Sequence, residues 1–174
     1  RQLNKDFDGI ICLPGTHTKW VHVSAGEVVS FQTFMTGEIF SLLSKQSVLK
    51  HNMNYDSWDS DIFLSSVGDS ISQPAVFSSA LFSMRAQSLV STGANKFAQN
   101  FSRLSGLLIG MELVASRPYW LGQNVAVIGD TKIANAYFEA LKGQGIHLMM
   151  ANAERMTLEG LKSAYNNLDK EVAR

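Results

Sequence analysis

The stretch Ile10-Ile11-Cys12-Leu13-Pro14-Gly15-Thr16-His17-Thr18-Lys19-Trp20-Val21-His22-Val23 constrains this chain more than any other. An apolar strand enters a turn of Pro, Gly, two threonines, a histidine and a lysine, and a second strand leaves it. Pro and Gly meet the backbone needs of a tight turn. Such a turn does not also need Thr16, His17, Thr18 and Lys19. Backbone N–H groups, two hydroxyls and an ammonium in one hairpin loop make a cradle for phosphate oxygens. The competing reading is an ordinary hairpin with polar turn residues, since short motifs are weak signals on their own.

Apolar spacing extends this hairpin into an α/β chain. Residues 7–34 read as three strands in a meander, with Ile10, Ile11 and Leu13 in the first, Trp20 to Val23 in the second and Val28 to Phe34 in the third. Ser24-Ala25-Gly26-Glu27 makes the second turn. Residues 37–122 read as helical. The apolar faces are Ile39, Phe40, Leu42 and Leu43; then Ile62, Phe63, Val67 and Ile71; then, from Pro74, Val76 to Leu89; then Phe97, Phe101, Leu104, Leu108 and Met111, ending before Arg117-Pro118. Val125 to Ile128 reads as a strand, Thr131 to Leu141 as a helix, Gly145 to Met150 as a strand and Thr157 to Leu168 as a closing helix. Met53 to Asp61 is the least regular segment.

Composition narrows the class. A chain of 174 residues with 45% hydrophobic content can bury one core. Its 15 basic and 15 acidic residues balance, which argues against a nucleic-acid or anionic-membrane surface. The single cysteine, Cys12, cannot form an internal disulfide, and a cytoplasmic setting is the simpler expectation. No apolar run approaches the roughly 20 residues of a membrane helix. Leu104 to Ala115 contains Gly106 and Gly110 four apart, is flanked by Arg103 and Glu112, and reads as a soluble helix packed closely on a neighbour. The chain opens on Arg1, without methionine or a signal peptide, and an internal cut or processed start is expected.

Leu13 to Trp20, followed by Phe34-Met35-Thr36-Gly37-Glu38-Ile39-Phe40, resembles the 2-dehydro-3-deoxygalactonokinase family. The likeness continues through Leu81 to Arg85, Leu104 to Leu113 and Val127-Ile128-Gly129-Asp130, in the family's order. The family belongs with the sugar kinases, hexokinases and actin-like ATPases, which set two ribonuclease H-like domains around a nucleotide cleft. The resemblance implies the second of these domains, with the N-terminal one absent. It implies a ribonuclease H-like fold: a three-strand antiparallel meander, helices, then β-α-β-α. Residues from about 48 to 92 read as a helical insertion beyond that minimal domain.

The resemblance implies ATP and Mg²⁺ as cofactors and 2-dehydro-3-deoxy-D-galactonate as substrate, phosphorylated on its terminal hydroxyl. Gly15 lets backbone approach phosphate closely, Thr16 and Thr18 offer hydroxyls, and Lys19 offers charge. His17 has two chemical uses: a base when neutral, a phosphate contact when charged. The superfamily's second phosphate loop carries Asp-x-Gly, whereas Leu13 stands at that aspartate's place here. Asp6 and Asp8 lie at the far end of the strand. The base and metal carboxylates are therefore expected from the absent domain, and the isolated chain is expected to be inactive.

A second constellation is Ile128-Gly129-Asp130-Thr131 with the Gly106–Gly110 helix, expected to face the same cleft and contact adenosine. Asp130 reads equally as a helix N-cap. Arg85 lies on an apolar helix face, paired with an internal carboxylate or facing the cleft. Glu38 starts a helix, His22 and His147 read as strand residues, and Cys12 as core. No spacing suggests a protein metal site. A homo-oligomer stays open, as does a non-catalytic nucleotide-binding or interaction module. An NAD-type β-α-β over Val125 to Met150 lacks the glycine fingerprint.

Overall fold

The computed structural model describes residues 7–90 and 99–172. β1 (Gly9–Leu13) and β4 (Val125–Gly129) lie side by side at the centre of a five-stranded sheet. Val125, Ala126, Val127 and Ile128 are all buried, as a strand covered on both faces requires. β2 (Thr18–Ser24) and β3 (Glu27–Phe34) extend the sheet from β1 by antiparallel pairing, and β5 (Leu148–Asn152) extends it from β4 in parallel. The order is β3-β2-β1-β4-β5. The β2–β3 hairpin closes through Ala25 and Gly26, both at positive φ (52° and 78°). That is the backbone sense a two-residue hairpin turn needs.

Seven α-helices accompany the strands among the described residues: between β3 and β4 come α1 (Thr36–Gln46), α2 (Ser60–Ser72), α3 (Phe77–Val90), α4 (Asn100–Ala115) and the single turn α5 (Arg117–Trp120), between β4 and β5 comes α6 (Thr131–Lys142), and after β5 comes α7 (Ala153–Val172). Asp59 caps α2 by accepting from Ile62 N–H at 3.0 Å, and Pro74 opens a 3-10 turn that leads into α3. Phe97, expected in the fourth helix, lies outside the described residues, as does Asp6. β5 starts at Leu148 instead of Gly145, because Gly145 (φ 71°) belongs to the turn after α6. The closing helix starts at Ala153, ahead of the expected Thr157. Asn152 caps it, its side-chain oxygen accepting from Arg155 N–H at 2.9 Å.

One apolar core joins the sheet to its helices: Ile10, Cys12, Trp20, Val125 and Val127 meet Phe63 and Val67 of α2, Leu113 of α4 and Leu141 of α6. A second cluster gathers Leu49, Met84, Leu104, Leu107 and Leu108. The region read as an insertion thus feeds both clusters, α2 the first and α3 the second. No helix of the described residues is long and apolar enough to cross a membrane.

Candidate functional site

One edge of the sheet collects most of the polar features. β1, β4 and β5 run parallel, so their C-terminal ends share this edge. Two antiparallel pairings turn β3 the same way, and Phe34 at its end pairs with Thr18. α1, α6 and α7 therefore all begin at this edge, where β3, β4 and β5 stop. Open α/β sheets bind ligands outside the carboxyl ends of their strands. Three helix N-termini add a field that favours anions.

Residues 14–17 form the loop at the end of β1. α1 braces it from one side. Gly37 packs so tightly that an added Cβ would stand 2.3 Å from the Gly15 carbonyl oxygen. Glu38 N–H donates to the Thr16 carbonyl at 3.0 Å. The Glu38 carboxylate meets His17 Nε2 at 2.5 Å. Lys19 Nζ donates to the His17 carbonyl at 2.9 Å, so the ammonium braces the loop that it was expected to charge. Thr16 and His17 are exposed, and the space beside Gly15 is open.

Gly129 ends β4 against the same loop. A Cβ there would stand 3.1 Å from Pro14 Cγ and 3.2 Å from the Pro14 oxygen. Asp130 caps α6, its carboxylate accepting from Lys132 N–H at 3.1 Å. Beyond Gly129 a cleft of about 360 Å³ opens between the starts of α6 and α7, lined by Gly129, Thr131, Ala134, Met150, Asn152, Arg155 and Met156.

Beneath the loop lies a buried polar network. Trp20 Nε1–H donates to Glu112 Oε1 at 2.7 Å, and the Tyr137 hydroxyl donates to Glu112 Oε2 at 2.8 Å. Tyr137 has one hydroxyl proton, so Thr18 donates to the Tyr137 oxygen, 3.0 Å away. Thr36, at the start of α1, hydrogen-bonds the same carboxylate. Burial raises the Glu112 carboxyl above the usual glutamate range, against these hydrogen bonds that lower it. Burial likewise pushes the Tyr137 hydroxyl and the Cys12 thiol well up, with the Glu112 charge adding to both.

The structure thus brings Gly15, Thr16, His17 and Lys19 together with Gly129 and Asp130 at one edge. It turns Thr18 inward, fully buried, so Thr16 is the threonine that presents a hydroxyl at the surface. Gly106 and Gly110 stand apart, buried in the α2–α4 contact. A Cβ on Gly106 would lie 2.3 Å from the Phe63 oxygen, and one on Gly110 would lie 2.7 Å from Ser70 Cβ. Their spacing records helix packing. Arg85 finds an amide where a carboxylate or the cleft was expected: Nη1 donates to Asn52 Oδ1 at 2.8 Å. Asp8 sits at the opposite edge, lowered by hydrogen bonds from Ser24 and Ala25. Among the described residues no three His, Cys, Asp or Glu side chains gather as around a metal ion.

Glu112, expected as a charge flanking its helix, is instead the hub of the buried polar network. It is 3% exposed. The signal was present, because Leu104, Leu108 and Glu112 repeat at a spacing of four and share one helix face with the core. The His17–Glu38 pair had no such signal, being a tertiary contact between residues 21 apart.

The sequence profile of the 2-keto-3-deoxy-galactonokinase family matches residues 1–164. A candidate 2-dehydro-3-deoxygalactonokinase of Rhizobium meliloti (strain 1021) is 33% identical over 159 residues, covering 89% of this chain and 51% of the relative. A 2-dehydro-3-deoxygalactonokinase of Escherichia coli (strain K12) is 28% identical over 152 residues, covering 87% and 51%. The crystal structure of a candidate 2-dehydro-3-deoxygalactonokinase from Sinorhizobium meliloti superposes with a TM-score of 0.82 at 31% identity, over 91% of this chain and 52% of that one. The chain spans about half the length of the relatives it matches.

Proposed function

The chain belongs to the 2-keto-3-deoxy-galactonokinase family, and from that premise we propose that the whole protein transfers the γ-phosphoryl group of ATP to the terminal (6-) hydroxyl of 2-dehydro-3-deoxy-D-galactonate. This chain acts as the C-terminal, ribonuclease H-like half of a two-domain sugar kinase. The sheet order β3-β2-β1-β4-β5, with β2 reversed, supports that fold. The share of its relatives that the chain spans supports the division into halves. A cytoplasmic setting goes with this reading.

One observation carries the site assignment: the 14–17 loop and the Gly129 turn touch at the edge where three helices begin, beside an open cleft. Nucleotide phosphates lie toward Gly15, held by loop N–H groups, the Thr16 hydroxyl and His17, with Lys19 bracing the loop. Adenosine lies toward Gly129 and Asp130, in the cleft between α6 and α7. In the reaction the sugar hydroxyl oxygen bonds to the γ-phosphorus, the bond from that phosphorus to the bridging oxygen breaks, and the hydroxyl proton passes to a base. Leu13 stands at the aspartate's place and His17 is assigned to phosphate, so this reading assigns the base to the other half of the protein. Mg²⁺ neutralises charge on the nucleotide when bound, but the described residues here gather no carboxylate cluster for it.

The test is ATP-dependent phosphorylation of the sugar acid by the full-length protein, with Thr16→Ala as the probe of the loop. Loss of one charge-stabilising donor costs about 3 kcal/mol of barrier, or roughly 100-fold in turnover. ATP binding without transfer by the unmutated protein would leave the non-catalytic nucleotide-binding reading in its place.

A further inference from the structure

The loop at the sheet edge is gripped by α1 more firmly than a turn requires. Glu38 holds it twice, by its backbone N–H on the Thr16 oxygen and by its carboxylate on His17 Nε2. Gly37 beside it lets the two backbones approach where any side chain at 37 would meet the Gly15 carbonyl. Lys19 Nζ fixes the His17 carbonyl from the other side. Yet the His17 and Glu38 side chains are 47% and 39% exposed. An exposed pair contributes only about 0–1 kcal/mol to stability. What the contact does settle is orientation: with Nε2 on the carboxylate, Nδ1 is the ring nitrogen left for a ligand.

We propose that Glu38 is a positioning residue for nucleotide binding: its carboxylate accepts a hydrogen bond from His17 Nε2–H and so orients the imidazolium ring, whose Nδ1–H donates to a phosphate oxygen of ATP lying on the 14–17 loop. This rests on the kinase reading above. In the complex both ring nitrogens donate, so the ring is cationic, with the Glu38 carboxylate on one side and phosphate on the other. Among the described residues the Glu38 carboxylate of α1 contacts the ring itself, and the Lys19 ammonium of β2 sits on the His17 backbone carbonyl. A carboxylate that orients the ring nitrogen it touches, and so fixes what the other nitrogen does, is a general device of histidine sites.

The experiment uses the full-length protein. Imidazole nitrogen NMR places the His17 proton on Nε2 in the unmutated protein, and Glu38→Ala releases it to a mixture of tautomers. Glu38→Ala raises the KM for ATP about tenfold, the size of one lost charge-assisted hydrogen bond, and leaves the KM for the sugar acid unchanged. Glu38→Gln, whose amide oxygen accepts the same Nε2–H, keeps most of the ATP affinity. Adding His17→Ala to Glu38→Ala costs less than His17→Ala costs in the unmutated protein. An unprotonated Nε2, an unchanged ATP KM in Glu38→Ala, or no rescue by Gln overturns the proposal while the kinase reading stands. If the unmutated protein phosphorylates nothing, that reading fails, and calorimetric ATP affinities replace KM in the same comparisons. A protein that binds no ATP overturns both.

Discussion

The Tyr137 hydroxyl of α6 donates a hydrogen bond to Glu112 of α4 across 2.8 Å, and the network around that bond ties the helix capped by Asp130 to the hairpin that carries Thr18 and Trp20. Glu112 also holds Trp20 of β2 and Thr36 of α1. One buried carboxylate thereby registers four elements around the loop.

Stability should fall as pH rises through the Glu112 titration. Burial raises this carboxyl, so the folded chain keeps a proton that the unfolded chain releases. The stabilisation is full below the ordinary glutamate value of 4.5 and is lost as pH rises from there through the raised value. Glu112→Gln should flatten that slope in chemical denaturation at a series of pH values. An identical slope in the variant would show that Glu112 does not titrate in this way.

Glu112→Leu should cost about 1–3 kcal/mol for each donor left unpaired, at Trp20 Nε1, the Tyr137 hydroxyl and the Thr36 hydroxyl. Denaturant midpoints measure it, and a loss under about 1 kcal/mol in total would argue that water replaces the carboxylate.

Thr16 and Thr18 should part company. Thr18→Val keeps the shape and removes a buried hydroxyl, so it should lower stability by about 1 kcal/mol. Thr16→Ala should leave the melting temperature alone and lower turnover of the full-length protein. Equal effects of the two variants on turnover would contradict the inward placement of Thr18.

Gly129→Ala brings its new methyl within 3.1–3.3 Å of Pro14. The loop must give by a few tenths of an ångström. ATP binding should therefore weaken through displacement of the loop, and Gly129→Val should weaken it more. A Gly129→Val protein with unchanged ATP affinity would detach the two halves of the site.

Gly106→Ala should destabilise the fold by about 1–3 kcal/mol through overpacking, because its methyl would meet the Phe63 carbonyl. ATP affinity of the folded fraction should not change. A change in affinity at full stability would return Gly106 to the site.

Much of the fold was legible because it is written in local spacing. The Leu13-to-Trp20 turn, the Ala25-Gly26 hairpin and the apolar run of β4 each declare themselves within a few residues. Boundaries slipped where a side-chain cap decided them, as Asn152 did for α7. The candidate site was half legible. Gly15, Thr16, His17 and Lys19 are adjacent in sequence, so their gathering needed no tertiary information.

By itself the sequence determined the elements, the family likeness and the polar loop, since propensity, periodicity and turn chemistry act over a few residues. Only the tertiary structure decided which of those polar groups reach solvent. Thr18 and Lys19 are neighbours, yet one is buried on Tyr137 and the other braces the loop, because strand alternation sends them to opposite faces and α6 happens to cover one. Gly106 and Gly129 look alike in sequence, yet the first admits a helix and the second admits a proline. His17 meets Glu38 at the sheet edge, and Glu112 meets Tyr137 in the core beneath it, through contacts between segments far apart in sequence.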